Sequence, residues 1–298
     1  MPDYGHPLTF GTFITPINRP PEQPVLLAQL TESLGYDLVT FQDHPYQPSF
    51  LDTWTLISWV ASRTERIHIA GNVLNTQLRP PAVLARAVAS LDLLSHGRIE
   101  LALGAGAFGQ AIASMGAPAL TPPQAVSALA EAVDIIRGIW DVNDLSPLRV
   151  DGEFNQVNGA RRGPEPAHPV PIWIGAYKPR MLRLTGTKGD GWIPTLSYLQ
   201  DGDLRRGNQV IDDAAAAAGR DPRLIRRLLN ISGEFITQRR GLLQGPPESW
   251  VEDLLPMVLA DGVSTIILAG DQPATIQVFA QQVIPTLSQL VSTAREDA

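Results

Sequence analysis

The stretch from Ile67 to Phe108, IHIAGNVLNTQLRPPAVLARAVASLDLLSHGRIELALGAGAF, constrains the fold more than any other part of the chain. Two β-rich runs of period two, Ile67 to Val73 and Arg98 to Ala105, flank a pattern in which Val83, Leu84, Ala87, Val88, Leu91 and Leu94 recur at helical spacing. The second run opens into Gly104-Ala105-Gly106. Strand, helix, strand and glycine-rich exit predict a parallel β-α-β unit, and in such units small ligands meet the carboxyl ends of the strands.

The same alternation extends along the chain. Leu8 to Ile14 reads as a strand, and Val25, Leu26, Leu30 and Leu34 as a helix closed by Gly35. Leu38 to Asp43 is a second strand, stopped at His44-Pro45 because the residue before proline avoids the helical region. Asp52 starts a helix with Leu56, Trp59 and Val60 on its apolar face. After Phe108 an irregular segment reaches Pro118, followed by a helix carrying Val126, Leu129, Val133, Ile136 and Trp140. Residues 141–170 are polar and rich in proline and glycine, with a hairpin signal around Asp151-Gly152, and read as an insertion. Pro171 to Ala176, Gly191 to Thr195, Leu228 to Ile236 and Thr265 to Ala269 supply four more strands. Helices follow them from Lys178-Pro179, up to Gly219, over Trp250 to Leu259 and from Pro273. Eight strands alternating with eight helices predict an α/β chain folded as a (β/α)8 TIM barrel, with the insertion before strand five and residues 1–298 forming one domain. A doubly wound sheet is the alternative, but its glycine fingerprint is missing after the first strand.

Composition excludes several classes. A formal net charge of -7 with no basic run argues against nucleic acid. The absence of cysteine removes disulfides, thiolate metal sites and cysteine nucleophiles. No apolar run approaches the ~20 residues that span a bilayer, and MPDYGHPLTF lacks the pattern of a signal peptide, so no membrane partner and a cytoplasmic protein are expected.

Alternation also orders the strands vertically. Ile99, Leu101 and Leu103 should meet the helix layer, leaving Glu100, Ala102 and Gly104 to face the barrel interior; Ile67 and Ile69 oppose His68, Ala70 and Asn72 in the same way. In the second strand Thr40, Gln42 and His44 oppose Val39, Phe41 and Asp43. His68 and Glu100 then lie low in the barrel, where a buried polar pair satisfies both groups without chemistry. Asn72, Gly104 and His44 lie at the end where barrel enzymes work. Of the five histidines only His44 directly follows a strand end in a polar loop, and no second histidine sits near it at metal-ligand spacing, so no metal site is expected. No Gly-x-Ser-x-Gly elbow and no facing carboxylates support a hydrolase. The strand ends offer small residues and amides suited to a large planar cofactor. Gly175, Ala176, Tyr177 and Lys178 precede a helix, a place for a phosphate whose alternative is a plain turn with solvated cations.

These residues carry a resemblance to the luciferase-like flavin-dependent oxidoreductases. The matching stretches are Gln42-Asp43-His44, Ala61 to Arg66, Ser90-Leu91-Asp92, Ser95 to Arg98 running into LALGAGAF, Pro171 to Ala176 and Gly189 to Trp192. Asp-His after the second strand is similar to the branch that uses the deazaflavin coenzyme F420, where many FMN-using members have Glu-His. The resemblance implies His44 as the catalytic residue. It implies a cofactor site of Asp43, Asn72, Val73, Gly104, Gly106, Gly175, Ala176, Tyr177 and Lys178. It further implies a non-prolyl cis peptide at Asn72-Val73, a homodimer, and a reductase that supplies reduced cofactor. Members that oxidise a sugar phosphate place Glu just after the strand-four glycines, where this chain has Phe108, which favours an apolar or aromatic small molecule. The expected activity is hydride transfer between F420 and such a substrate. The alternatives are an FMN-dependent monooxygenase using reduced flavin and oxygen, and a catalytically silent flavin-binding protein.

Overall fold

A computed structural model describes residues 3–297; Met1, Pro2 and Ala298, the ends of the span read as one domain, lie outside the described residues. In chain order the elements are β1 (Thr9–Ile14), α1 (Gln23–Ser33), β2 (Leu38–Phe41), α2 (Thr53–Ala61), β3 (His68–Gly71), β4 (Leu74–Asn75), α3 (Pro81–Leu94), β5 (Leu101–Gly104), α4 (Gly109–Ser114) and α5 (Pro122–Trp140). There follow β6 (Leu148–Asp151), β7 (Gln156–Ala160), β8 (Ile172–Ile174), α6 (Pro179–Lys188), β9 (Gly191–Trp192), α7 (Asp203–Ala217) and β10 (Arg226–Ile231). The last are β11 (Glu234–Phe235), β12 (Gln244–Gly245), α8 (Pro247–Leu259), β13 (Thr265–Ala269), α9 (Pro273–Val278) and α10 (Ile284–Glu296), the final two joined by a π-helical turn over Phe279–Val283.

The main sheet has nine parallel strands in the order β3-β2-β1-β13-β10-β9-β8-β5-β4. It closes where Ile69 bridges Ile99, with Ile69 N donating to Arg98 O at 2.9 Å and Glu100 N to Ile69 O at 3.0 Å. Nine strands rather than eight arise because the third barrel strand is broken at Asn72-Val73 into β3 and β4. The expected barrel is therefore present, with helices outside and strands inside.

Local chemistry explains the element ends. Gly35, at φ +86°, takes the left-handed turn after α1. The Asp52 carboxylate accepts from Thr55 N at 2.9 Å and caps α2. Gln124 reaches back to Thr121 N at 2.9 Å at the start of α5. Several expectations shift. The segment after Phe108 contains the short helix α4, in which only Ile112 is buried. The run Leu228 to Ile236 divides into β10 and β11, and β11 pairs with β12 outside the barrel. Within residues 141–170, β6 and β7 form the antiparallel hairpin, Val150 opposite Val157 and Asp151 opposite Gln156.

The core has two parts, as alternation requires. Val39, Phe41, Ile69, Leu101, Leu103, Ile172 and Ile174 pack outward with the helices. Leu38, Ala70, Ala102, Trp173, Ile193, Leu228 and Ile267 fill the barrel interior, with Phe13 and Val73 packed against them. Polar residues lie above and below this inner tier.

Candidate cofactor and active site

Above the apolar tier, four strands contribute one hydrogen-bonded polar layer. Asn72 Nδ2 donates to Asn230 Oδ1 at 2.7 Å and to Thr40 Oγ1 at 3.1 Å. Asn230 Nδ2 returns to Asn72 Oδ1 at 3.3 Å and reaches Thr195 Oγ1 at 3.3 Å. Both amides are buried, so each needs the other. Asn72 was an expected site residue; Asn230 and Thr195 were not. Their signal, a polar residue at an inward position of an otherwise apolar strand, is in the sequence once the register is known.

Directly above, the Asn72-Val73 peptide bond is cis. Val73 packs against the inner apolar tier. A Cβ on Gly104 would stand 2.7 Å from Val73 Cγ2, and one on Gly175 3.2 Å from the same atom. These glycines therefore make room first for the Val73 side chain. Gly106, at φ +87°, has Ile112 Cδ1 and Gln77 Nε2 each 2.7 Å from where its Cβ would lie. Gln77 also donates to Ala105 O, which fastens the exit of β5 to the loop after β4.

Asp43 and His44 follow β2 and part in direction. The Asp43 carboxylate is fully buried, accepting from Asn75 N at 2.8 Å and from Arg79 Nη2 at 2.9 Å, so it ties the end of strand two to the segment after the bulge. Arg79 also reaches Asp52 at 3.2 Å. Nothing in Gln-Leu-Arg-Pro-Pro signals that role for Arg79. The His44 ring instead lies among aromatics: Tyr46 at 5.4 Å, Phe50 at 6.4 Å and Phe108 at 5.4 Å between centroids. Burial pushes the His44 imidazole below its usual range, against an opposing pull from Asp43. A neutral ring at pH 7 follows.

The β8–α6 turn brings Gly175, Ala176, Tyr177 and Lys178 to the same rim. Ala176 O accepts from Trp192 Nε1 at 2.8 Å, and the Tyr177 hydroxyl accepts from Thr195 N at 3.0 Å. Lys178 stands at the start of α6 and forms no ion pair with a described residue, whereas Arg180 is engaged with Ser127 Oγ at 2.8 Å. A groove of about 680 Å³ runs from Thr76 and Gln77 past Met115 to the hairpin tip at Phe154 and Asn155; its lining holds one carboxylate, Glu153, and no cation.

Below the apolar tier the expected polar pair is present, His68 Nδ1 lying 2.9 Å from Glu100 Oε1. His168 joins it from the 141–170 segment, its Nε2 3.8 Å from Glu100 and its Nδ1 3.0 Å from buried Asp92. Burial raises the Glu100 carboxyl, but the two histidines outweigh this and hold it below its usual value. A cavity of about 330 Å³ at this end is lined by His68, Glu100, Arg226, Asp37 and Trp173. This cluster is separated from His44 by the whole inner tier. Among the described residues no three His, Cys, Asp or Glu side chains gather to hold a metal. Nor is any helix among them long and apolar enough to cross a membrane.

Comparison with known proteins bears on the family and the fold. The luciferase-like monooxygenase family matches residues 8–239. A phthiodiolone/phenolphthiodiolone dimycocerosates ketoreductase of Mycobacterium kansasii is 31% identical over 224 residues, 74% of this chain and 56% of that protein. An F420-dependent glucose-6-phosphate dehydrogenase of Kribbella flavida is 31% identical over 221 residues, 72% of this chain and 65% of that protein. The matches thus span between about half and two thirds of these relatives' lengths. Among solved structures, an F420-dependent secondary alcohol dehydrogenase in complex with an F420-acetone adduct superposes with a TM-score of 0.83 over 94% of this chain and 99% of that one, at 18% identity.

Proposed function

Since this chain belongs to the luciferase-like monooxygenase family, we propose that it is an oxidoreductase that transfers a hydride between coenzyme F420 and a small, uncharged apolar or aromatic substrate at the barrel mouth. The observation that carries this reading is the mouth itself: Val73 packed over Gly104 and Gly175, and a neutral histidine at the same end of the barrel.

The residues fit a planar ring system. Val73, braced over Gly104 and Gly175, forms an apolar back wall, with Asn72 held beneath it. Lys178 and the amides opening α6 suit a phosphate; the groove past Met115, whose sole charge is the Glu153 carboxylate, does not. Bound there, the deazaflavin supplies the carbon centre that gives or takes the hydride. His44 holds or moves the accompanying proton on the substrate oxygen, a task suited to an imidazole that is neutral near pH 7. Asp43, engaged by Arg79 and Asn75, fixes the loop rather than moving protons. Phe108, 54% exposed where the resemblance places Glu in sugar-phosphate members, favours an uncharged substrate. We read the protein as cytoplasmic and as a homodimer; Trp59 and Leu94, 55% and 78% exposed on α2 and α3, support the second, and particle mass in solution tests it.

Fluorescence titration of the purified protein with F420 and with FMN tests the cofactor. Tighter binding of F420 is expected, and a more than tenfold preference for FMN overturns the assignment in favour of the monooxygenase. Saturable F420 binding with no turnover across alcohols and carbonyls overturns the catalytic reading in favour of a silent binder.

A further inference from the structure

A catalytic imidazole is ordinarily oriented by a hydrogen bond to one ring nitrogen, which also fixes the tautomer. His44 lacks one: no described residue hydrogen-bonds either of its ring nitrogens, and its neighbour Asp43 is turned away to Arg79 and Asn75. Three rings surround it instead. Tyr46 and Phe50 lie nearly parallel to the imidazole, at interplanar angles of 20° and 19°, while Phe108 meets it edge-on at 71°. Phe108 also contacts Tyr46, 6.0 Å between centroids at 62°, which closes a triangle of His44, Tyr46 and Phe108. The supporting loop is itself fixed: Gln47 N donates to His44 O at 2.9 Å, Phe50 N to Gln47 O at 3.0 Å and Leu51 N to Pro16 O at 2.7 Å.

We propose that Tyr46 and Phe108 are positioning residues for His44, holding the imidazole by ring contact in place of a hydrogen bond and so leaving both of its nitrogens free. Aromatic contacts restrain the plane of the ring without selecting a tautomer. A histidine held this way accepts a proton at one nitrogen and donates from the other, which suits a site that runs in either direction. Phe108 comes from the β5 exit and Tyr46 from the β2 loop, so the triangle also joins the two loops across the mouth. Two titratable groups act on the imidazole: Asp43, whose charge raises its pKa although the carboxylate points to Arg79, and Tyr46, itself raised by burial. The proposal rests on His44 acting in catalysis, as inferred above, but its structural part is tested without cofactor.

The test is nitrogen-15 NMR of the cofactor-free protein with histidine labelled. His44 is expected to titrate below the ordinary histidine range and to show a mixture of both neutral tautomers. In Phe108→Ala the midpoint should move up toward the ordinary value and the signal broaden, while Phe108→Tyr restores the wild-type behaviour. With F420 present, Phe108→Ala should lose roughly ten- to a hundredfold in kcat, part of the range that acid–base groups contribute, at unchanged cofactor affinity. A single locked tautomer in the wild type, or an unchanged midpoint in a folded Phe108→Ala protein, overturns the proposal. Failure of F420 to bind overturns the cofactor reading and leaves the NMR result to decide this one.

Discussion

Val73 fills the space that Gly104 leaves: its Cγ2 lies 2.7 Å from where a Cβ on Gly104 would stand. Val73 and the glycine on the neighbouring strand are thus one packing unit, and on the proposed reading that unit sets where the back wall of the cofactor site lies.

Gly104→Ala should therefore displace Val73. Overpacking of this kind is worth about 1–3 kcal/mol, and F420 affinity should fall with stability. The double variant Gly104→Ala/Val73→Ala should recover much of the stability in urea unfolding. If the two losses simply add, the packing relationship is wrong.

Asn230→Leu leaves Asn72 Nδ2 without its 2.7 Å acceptor. Nδ2 keeps Thr40 Oγ1, but Asn72 Oδ1 loses the Asn230 donor. A buried acceptor left unpaired costs about 1–3 kcal/mol, read as a lower urea midpoint, and cofactor affinity should drop because Asn72 precedes Val73. Wild-type stability in Asn230→Leu would show that the amide pair is dispensable.

Arg79→Met strands the buried Asp43 carboxylate with only the Asn75 amide. Removal of one member of a buried pair typically costs about 3–5 kcal/mol. Adding Asp43→Asn, which removes the unpaired charge, should restore a large part of it. Chemical denaturation of the single and double variants measures both.

His168 gives a pH dependence with a definite sign. Glu100 raises its pKa, burial opposes this, and Asp92 adds to the increase. A histidine with a raised folded pKa contributes stability that is complete below the unfolded value, about 6.5, and is lost as pH climbs through the folded value. The gap in thermal midpoint between wild type and His168→Gln should accordingly narrow from pH 5.5 to 8.5. A gap that widens with pH contradicts the assignment.

For turnover, His44→Ala should lower kcat roughly 100- to 10,000-fold, the span of acid–base contributions, with F420 affinity little changed. Steady-state kinetics and a binding titration on the same preparation separate the two. Near-normal turnover would remove His44 from the mechanism.

The barrel was legible because its signals are local. Leu101 and Leu103 against Ala102 and Gly104 state which face is inside, and β13 falls on Thr265–Ala269 as expected. The cis bond at Asn72-Val73 was expected from resemblance, not from periodicity, which runs through it unbroken. What stayed hidden depends on pairing between distant strands. Asn72 meets Asn230 across 158 positions, and no local pattern encodes that encounter. Helix α4 escaped because a six-residue helix burying only Ile112 has no apolar stripe to read.

The apolar inner tier has an effect on proton traffic. Leu38, Ala70, Ala102, Trp173, Ile193, Leu228 and Ile267 include no group that titrates, so the tier offers no relay between His44 above and the His68–Glu100–His168 cluster below. A proton taken up at one end finds no carrier among these seven side chains. On the proposed role of His44, the acid response of folding and the acid response of turnover are then two separate circuits, and a substitution at His168 is expected to retune the first while leaving the second at its original setting.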